Sequence, residues 1–318
     1  MMKIVSTFIP DITLQQKVTA DFPEHEFHFE RGIRAAEALL QETEILITYG
    51  EDLNKVWIEK APSLKWVCVM SAGMERLPFE ELEKRNILVT NARGIHAIPM
   101  AEYTLGMMLS YVKCFPAMAA NQQKQIWERK QPFSELYGKT LLILGTGAIG
   151  SEIARLAQAF SMKTIGMNRS GRVVEHFDEL ILFEQLQDTI PNADVVVSVL
   201  PSTSETKDLL QFKHFEAMKA ESLFINIGRG DLISEETLIK VLKQKEIARM
   251  ILDVFPKEPL EETSPLWKFS NLTITPHISS ISENYLPRAF EIFEHNFNVY
   301  NGQIGDSYIN KIDLNRGY

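Results

Sequence analysis

The chain reads as an α/β protein made of two doubly wound domains, each a parallel sheet covered on both faces by helices. Three observations predict this. Short runs of strand type alternate with short helical patterns through the first hundred residues, and the same alternation resumes near residue 140. A glycine-rich turn heads the second series, set between an apolar strand and an amphipathic helix. At 318 residues the chain has room for two domains of ordinary size.

Composition narrows the class of protein. Hydrophobic residues make up 45% and charged residues 24%, with no biased segment. Lys and Arg number 33 against 42 Asp and Glu, a net charge of -9. Such a surface repels phosphate backbones and anionic membranes, so neither nucleic acid nor a membrane is expected as a partner. No apolar run reaches the length of a membrane span. The start, Met1-Met-Lys-Ile-Val-Ser6, enters a strand pattern directly without a signal-peptide layout, so a cytoplasmic protein is expected. Cys68 and Cys114 lie in apolar stretches without metal or redox spacing and read as small hydrophobes. No metal site is expected.

In the first hundred residues the predicted strands are 3–9, 26–29, 44–49, 64–70 and 87–90. Helical patterns fall at 14–22, 35–41, 55–60 and 79–85. Strands separated by helices pair in parallel, and ligands then bind beyond the carboxyl ends of the strands. That rule selects Tyr49-Gly50-Glu51, Ser71-Ala72-Gly73-Met74 and Asn91-Ala92-Arg93-Gly94. These are either ordinary turns or ligand loops. Ser71 to Met74 can offer several backbone N–H groups to a carboxylate. Pro99 then suits the first turn of a helix, and residues 100–118 form a long pattern too apolar for a free surface. This helix is expected to pack between domains or between subunits, and a homodimer is expected from it. Residues 122–137 read as a polar linker anchored by Trp127 and Phe133.

The strand Thr140-Leu-Leu-Ile-Leu144 runs into Gly145, Gly147 and Gly150. Ile149, Ile153, Leu156, Ala157 and Phe160 then fall on one helical face. A strand, a tight turn and a helix with free N–H groups at its start bind a dinucleotide pyrophosphate. Gly145 makes the turn, Gly147 leaves room for phosphate, and Gly150 lets helix and strand approach. Ala148 and Ile149 join them as backbone contacts at the helix start. The next strand, 163–167, ends in Asn168-Arg169-Ser170. An acidic residue at this point would hold the ribose 2′-hydroxyl of NAD, and none is present. Arg169 can pair with a 2′-phosphate through its forked guanidinium, with Asn168 and Ser170 adding hydrogen bonds. NADP is the expected cofactor. A solvated Arg169 with NAD bound is the alternative.

Further strands are predicted at 193–201, 222–227, 248–255 and 272–275, six in all for this domain. Ser234 caps a helix that opens with Glu235 and Glu236, and an amphipathic helix spans 282–300. Residues 301–318 show no strong pattern and are expected to close back on the first domain. Arg229, Asp253, Glu258 and His277 stand at strand ends. A hydride carrier needs a protein group that moves a proton at the substrate oxygen, and a cation for a substrate carboxylate. Of the seven histidines, only His277 follows a strand directly on the ligand side. A carboxylate beside it would favour the imidazolium and fix the tautomer.

The segments Ile225-Asn-Ile-Gly-Arg229-Gly230, Asp253-Val-Phe-Pro-Lys-Glu258-Pro-Leu260 and Thr275-Pro-His277-Ile-Ser279 resemble the three catalytic motifs of the D-2-hydroxyacid dehydrogenases. The Gly145–Gly150 turn, Asn91-Gly94-Ala101-Glu102 and Ser71-Ala72-Gly73 are similar to that family as well, in the family's order. The resemblance implies a Rossmann dinucleotide-binding domain, 99–282, inserted into a smaller flavodoxin-like substrate domain formed by 1–98 and 283–318. It implies His277 as general acid-base, Glu258 as its partner, and Arg229 as the group that binds a 2-oxo acid and polarises its carbonyl. Backbone groups of Ala72, Gly73 and Met74 would hold the substrate carboxylate. Asp253 would meet the nicotinamide amide, with Pro201, Thr206 and Ile227 lining the cofactor. Arg249-Met250-Ile251 departs from the small residues common there, which puts local strand packing in question.

The implied activity is reduction of a small 2-oxo acid, of the glyoxylate or hydroxypyruvate kind, to a D-2-hydroxy acid with NADPH. Asn168-Arg169-Ser170 resembles the NADP-preferring members. A phosphoglycerate-type dehydrogenase is one alternative. A nucleotide-sensing binding protein of the corepressor type is another, since such proteins keep the same catalytic residues.

Overall fold

Strands and helices alternate along the chain but build two separate sheets, seen in a computed structural model that describes residues 1–74, 76–244 and 247–314. The chain divides into two compact units, Met1–Ile95 with Ser282–Tyr318 and His96–Ile281. The expected changes of domain, at 98/99 and 282/283, thus fall at 95/96 and 281/282. Residues 315–318 of the expected substrate domain lie outside the described residues.

The smaller lobe runs β1 (Lys3–Ser6), α1 (Ile12–Asp21), β2 (Glu26–Phe29), β3 (Thr43–Thr48), α2 (Lys55–Lys60), β4 (Trp66–Val69), α3 (Phe79–Lys84) and β5 (Leu88–Asn91). Its sheet is parallel in the order β2-β1-β3-β4-β5. Asp11 starts α1 by accepting from Leu14 N at 3.1 Å, an N-cap that satisfies an otherwise open donor. The helix expected at 35–41 is a 3-10 helix, Glu37–Glu42, with only Leu40 buried. The tail returns to this lobe: Thr90 bridges to Lys311, and Ile312 N donates to Val89 O at 2.9 Å.

The nucleotide lobe runs α4 (Ala97–Val112), α5 (Phe115–Gln123), β6 (Thr140–Leu144), α6 (Ala148–Ala159), β7 (Lys163–Met167), β8 (Glu179–Ile181), α7 (Leu186–Thr189), β9 (Val195–Ser198), α8 (Phe212–Glu216), β10 (Leu223–Asn226), α9 (Glu235–Gln244), β11 (Arg249–Leu252) and β12 (Leu272–Ile274). The last helix, α10 (Tyr285–Tyr300), belongs to the smaller lobe, where its Phe290, Phe293 and Phe297 are buried and Phe293 stacks on Trp66. The larger sheet is also parallel, ordered β12-β11-β10-β9-β6-β7-β8. It has seven strands where six were expected. The additional β8 pairs only with β7 and buries one of its three residues, too little for a visible period.

Alternation along the strands explains the two cores of this lobe. Leu141 and Ile143 of β6 face the layer of α4 and α6, while Leu142 and Leu144 face the layer of α8 and α9. The long helix expected at 100–118 is broken. Cys114 stands at φ 54, and a second helix restarts with a proline in its first turn, because Pro116 has no N–H to continue the earlier ladder. Met100, Ala101, Leu105, Met108 and Val112 of α4 pack on Ile153, Ala154 and Ala157 of α6, inside the lobe. The α5 helix buries no side chain. Trp127 and Phe133 do not anchor the linker, since Trp127 is 94% exposed, and Leu136 is the buried residue there. Met250 and Ile251 fit the core, with Arg249 turned toward Thr273 Oγ1 at 3.3 Å.

Candidate active site

The glycine turn fits a dinucleotide on the structure's own geometry. Gly145 has φ +107, closed to most side chains, and a Cβ on Gly150 would sit 2.0 Å from Gly145 O. A Cβ on Gly147 would meet nothing within 4 Å, so that side of the turn is open. Gly147 precedes α6 without any side-chain cap, which leaves the first-turn N–H groups around Ala148, Ile149 and Gly150 for an anion.

At the end of β7, Asn168 shapes the next turn. Its Oδ1 accepts from Ser170 N at 3.1 Å and Gly171 N at 2.7 Å, and its amide donates to Thr146 Oγ1 at 3.2 Å. Arg169 reaches outward and is ion-paired with Glu205. Glu205 lies in the Pro201–Thr206 turn that follows β9, a partner the sequence reading did not identify. Its only signal was a carboxylate in a turn already placed near the cofactor. Thr206 is buried and its hydroxyl donates to Pro201 O at 2.6 Å, stapling that turn from within. Ile227, expected along the cofactor, has its side chain in the core at 2% exposure.

Three neighbouring strands carry the residues expected to be catalytic. Arg229 follows β10, Asp253 follows β11 and His277 follows β12, so their loops emerge side by side at roughly 5 Å per strand. Asn226 forms the Arg229 turn, with its Oδ1 accepting from Gly228 N and its amide donating to Arg229 O. Arg229 itself is exposed. His277 Nδ1 lies 2.8 Å from Glu258 Oε2, while Glu258 Oε1 accepts from Phe255 N at 2.9 Å. A carboxylate can only accept, so Nδ1 carries the hydrogen and Nε2 is the nitrogen left to act on a ligand. A cavity of about 480 Å³ adjoins the pair, walled by Phe255, Leu260, Trp267 and Pro276.

Asp253 is fully buried. Its Oδ1 accepts from Thr275 Oγ1 at 2.6 Å and Ile278 N at 2.9 Å, and its Oδ2 accepts from Ser279 N at 2.9 Å. Its carbonyl accepts from His277 N at 2.9 Å. The carboxylate expected at the nicotinamide amide is thus engaged with the histidine loop.

In the smaller lobe, Ala72, Gly73 and Met74 follow β4. Asn91 Nδ2 donates to Ala72 O at 3.0 Å and Ser71 Oγ to Gly73 O at 2.9 Å. Tying down the carbonyls suits a loop that offers N–H groups to an anion. Met74 turns its side chain into the core. A cavity of about 590 Å³ lies over this loop, lined by Tyr49, Ser71, Arg76 and Tyr285.

The parallel sheet, the pyrophosphate turn and a histidine–carboxylate pair at adjacent strand ends define a nucleotide-dependent oxidoreductase of the doubly wound class. Residues 105–279 match the family model described as D-isomer specific 2-hydroxyacid dehydrogenase, NAD binding domain. The chain belongs to the D-isomer specific 2-hydroxyacid dehydrogenase family. Among its relatives is a glyoxylate reductase of Thermofilum pendens, 30% identical over 92% of this chain and 86% of that one. A solved D-isomer specific 2-hydroxyacid dehydrogenase family protein of Aeromonas salmonicida is 34% identical with TM-score 0.83, covering 98% of this chain and 99% of that chain. Another, from Xanthobacter autotrophicus in complex with NADPH and MES, is 25% identical with TM-score 0.79 and covers 100% and 99%. The family supports an NAD(P)-dependent oxidoreductase acting on small 2-oxo or 2-hydroxy acids. Among the described residues no helix is long and apolar enough to cross a membrane.

Proposed function

We propose that this protein reduces a small 2-oxo acid of the glyoxylate or hydroxypyruvate kind to the D-2-hydroxy acid, preferring NADPH. The observation that carries the reaction is the 2.8 Å contact between His277 Nδ1 and Glu258 Oε2 on the loops beside Arg229. The cofactor, when bound, supplies the hydride. His277 delivers a proton from Nε2 to the carbonyl oxygen, and Glu258 stabilises the imidazolium and holds the ring's orientation. Arg229 binds the substrate carboxylate and polarises the carbonyl. Amides of Ala72, Gly73 and Met74 add donors for that carboxylate.

Arg169, with Asn168 and Ser170 behind it and no acid at the end of β7, supports NADPH over NADH. The NADPH complex of the Xanthobacter relative is consistent with this reading. A homodimer belongs to the same proposal: α5 buries nothing of its own, and Phe115 and Met118 on it are exposed.

A panel of glyoxylate, hydroxypyruvate, a branched 2-oxo acid and phosphohydroxypyruvate, run with both cofactors, tests the proposal. Oxidation of NADPH by one of the first three is expected. His277→Ala should cut turnover by about 10²–10⁴-fold while leaving NADPH binding intact. Absence of turnover across the panel would leave a nucleotide-sensing role as the better reading, and turnover of the phosphorylated acid alone would favour the phosphoglycerate type.

A further inference from the structure

The buried polar groups behind His277 form a chain that reaches across to α4. Tyr103 Oη lies 2.6 Å from Thr275 Oγ1, and Thr275 donates to Asp253 Oδ1 at 2.6 Å. A threonine hydroxyl has one proton. Because that proton goes to Asp253, Thr275 can only accept from the phenol, so Tyr103 is the donor. The direction therefore runs from phenol to hydroxyl to carboxylate. Burial, partly offset by the Thr275 contact, pushes the Tyr103 hydroxyl up to about 12, so it keeps this proton across the working range.

The end of the chain is the loop that carries His277. Asp253 holds the N–H groups of His277, Ile278 and Ser279 with its carbonyl and both carboxylate oxygens. Thr275 N is also fixed, donating to Leu252 O at 3.0 Å. His277 needs this support, because its φ of 55 lies in the left-handed region that a residue with a side chain enters only when its surroundings enforce it. Glu258 aims the ring, but the backbone beneath it is set by Asp253 and Thr275.

We propose that Tyr103 is a positioning residue for His277, acting through Thr275 and Asp253 to hold the 275–279 loop in its left-handed turn. This rests on His277 being the proton carrier of the proposed reduction. Tyr103 touches neither substrate nor reacting atoms in this role. It sets where Nε2 stands, and a displacement of about 1 Å can cost on the order of 100-fold in rate.

The test uses Tyr103→Phe, Thr275→Val, Thr275→Ser and the Phe/Val double variant of the full chain. Thr275→Val should lower kcat by about 10–100-fold and Tyr103→Phe by about 3–10-fold, with KM for the 2-oxo acid and Kd for NADPH changed less than about twofold. Thr275→Ser keeps the hydroxyl and should restore kcat. The double variant should be no slower than Thr275→Val alone, because Tyr103 acts through that hydroxyl. Wild-type kcat in Tyr103→Phe, multiplicative losses in the double variant, or losses confined to KM would overturn the proposal. If Thr275→Val does not fold, Tyr103→Phe decides the matter alone. If the wild type reduces no 2-oxo acid, the functional reading fails, and the positioning is read from the rate at which diethyl pyrocarbonate modifies His277. That rate should change by at least about threefold in Tyr103→Phe, and an unchanged rate would overturn the positioning itself.

Discussion

Arg169 and Glu205 are ion-paired, the arginine standing just past β7 and the glutamate on the turn after β9. The position that would receive a 2′-phosphate therefore holds a cation and a carboxylate together. A phosphate must displace Glu205 from Arg169, whereas a free 2′-hydroxyl can donate to it. On the proposed reading, Glu205 thus competes with that phosphate for Arg169.

Glu205→Gln should therefore sharpen the preference for NADPH. The pair is exposed, and such pairs contribute about 0–1 kcal/mol, so the ratio of kcat/KM for NADPH over NADH should rise by no more than about fivefold. Arg169→Asp should move the same ratio toward NADH. Steady-state kinetics with both cofactors measures both, and an unmoved ratio in the two variants would remove this pair from cofactor selection.

The outer side of α5 gives a second expectation. Phe115 and Met118 are exposed there, and Ile126 and Trp127 are exposed on the segment that follows. Light scattering at micromolar concentration should give the mass of a dimer, and Phe115→Glu with Met118→Glu should give a monomer. A monomeric wild type would show that this face has no second copy on it.

Asp194 gives the third, through pH. Its burial favours the neutral acid, but the Thr140 N–H at 2.8 Å and Lys219 Nζ at 2.9 Å outweigh this and hold the carboxyl below its usual value. A carboxylate lowered on folding stabilises above the unfolded value of about 3.9, and that stability is lost as pH falls through the folded value. Asp194→Asn should then melt about 2–4 °C lower than wild type at pH 7, as about 1 kcal/mol would give in a lobe of this size. The gap should narrow steadily as pH falls below about 4. A gap that does not narrow would assign the effect to packing and not to charge.

Much of the candidate site's layout is legible in the sequence. Gly145, Gly147 and Gly150 are readable because a pyrophosphate turn constrains consecutive backbone positions, and that constraint lies in one short stretch. His277, Arg229 and Glu258 stand at strand ends, which alternation of strand and helix locates. Less visible were β8, one strand with a single buried residue, and the break at Cys114, where Pro116 ended a pattern that apolarity alone extended to residue 118. Trp127 misled because an aromatic residue in a polar stretch resembles an anchor whether or not anything covers it.

The sequence by itself determined the two parallel sheets, the nucleotide turn and the strand-end positions of the candidate catalytic residues, since each depends on local period or local backbone freedom. Only the tertiary structure decided that Glu205 reaches Arg169, 36 residues away in the chain, and that Tyr103 reaches Thr275 across 172. It also decided that Asp253 turns inward to hold the His277 loop. Such contacts depend on how strands order themselves in the sheet and which helix lies over them. No spacing along the chain encodes that order.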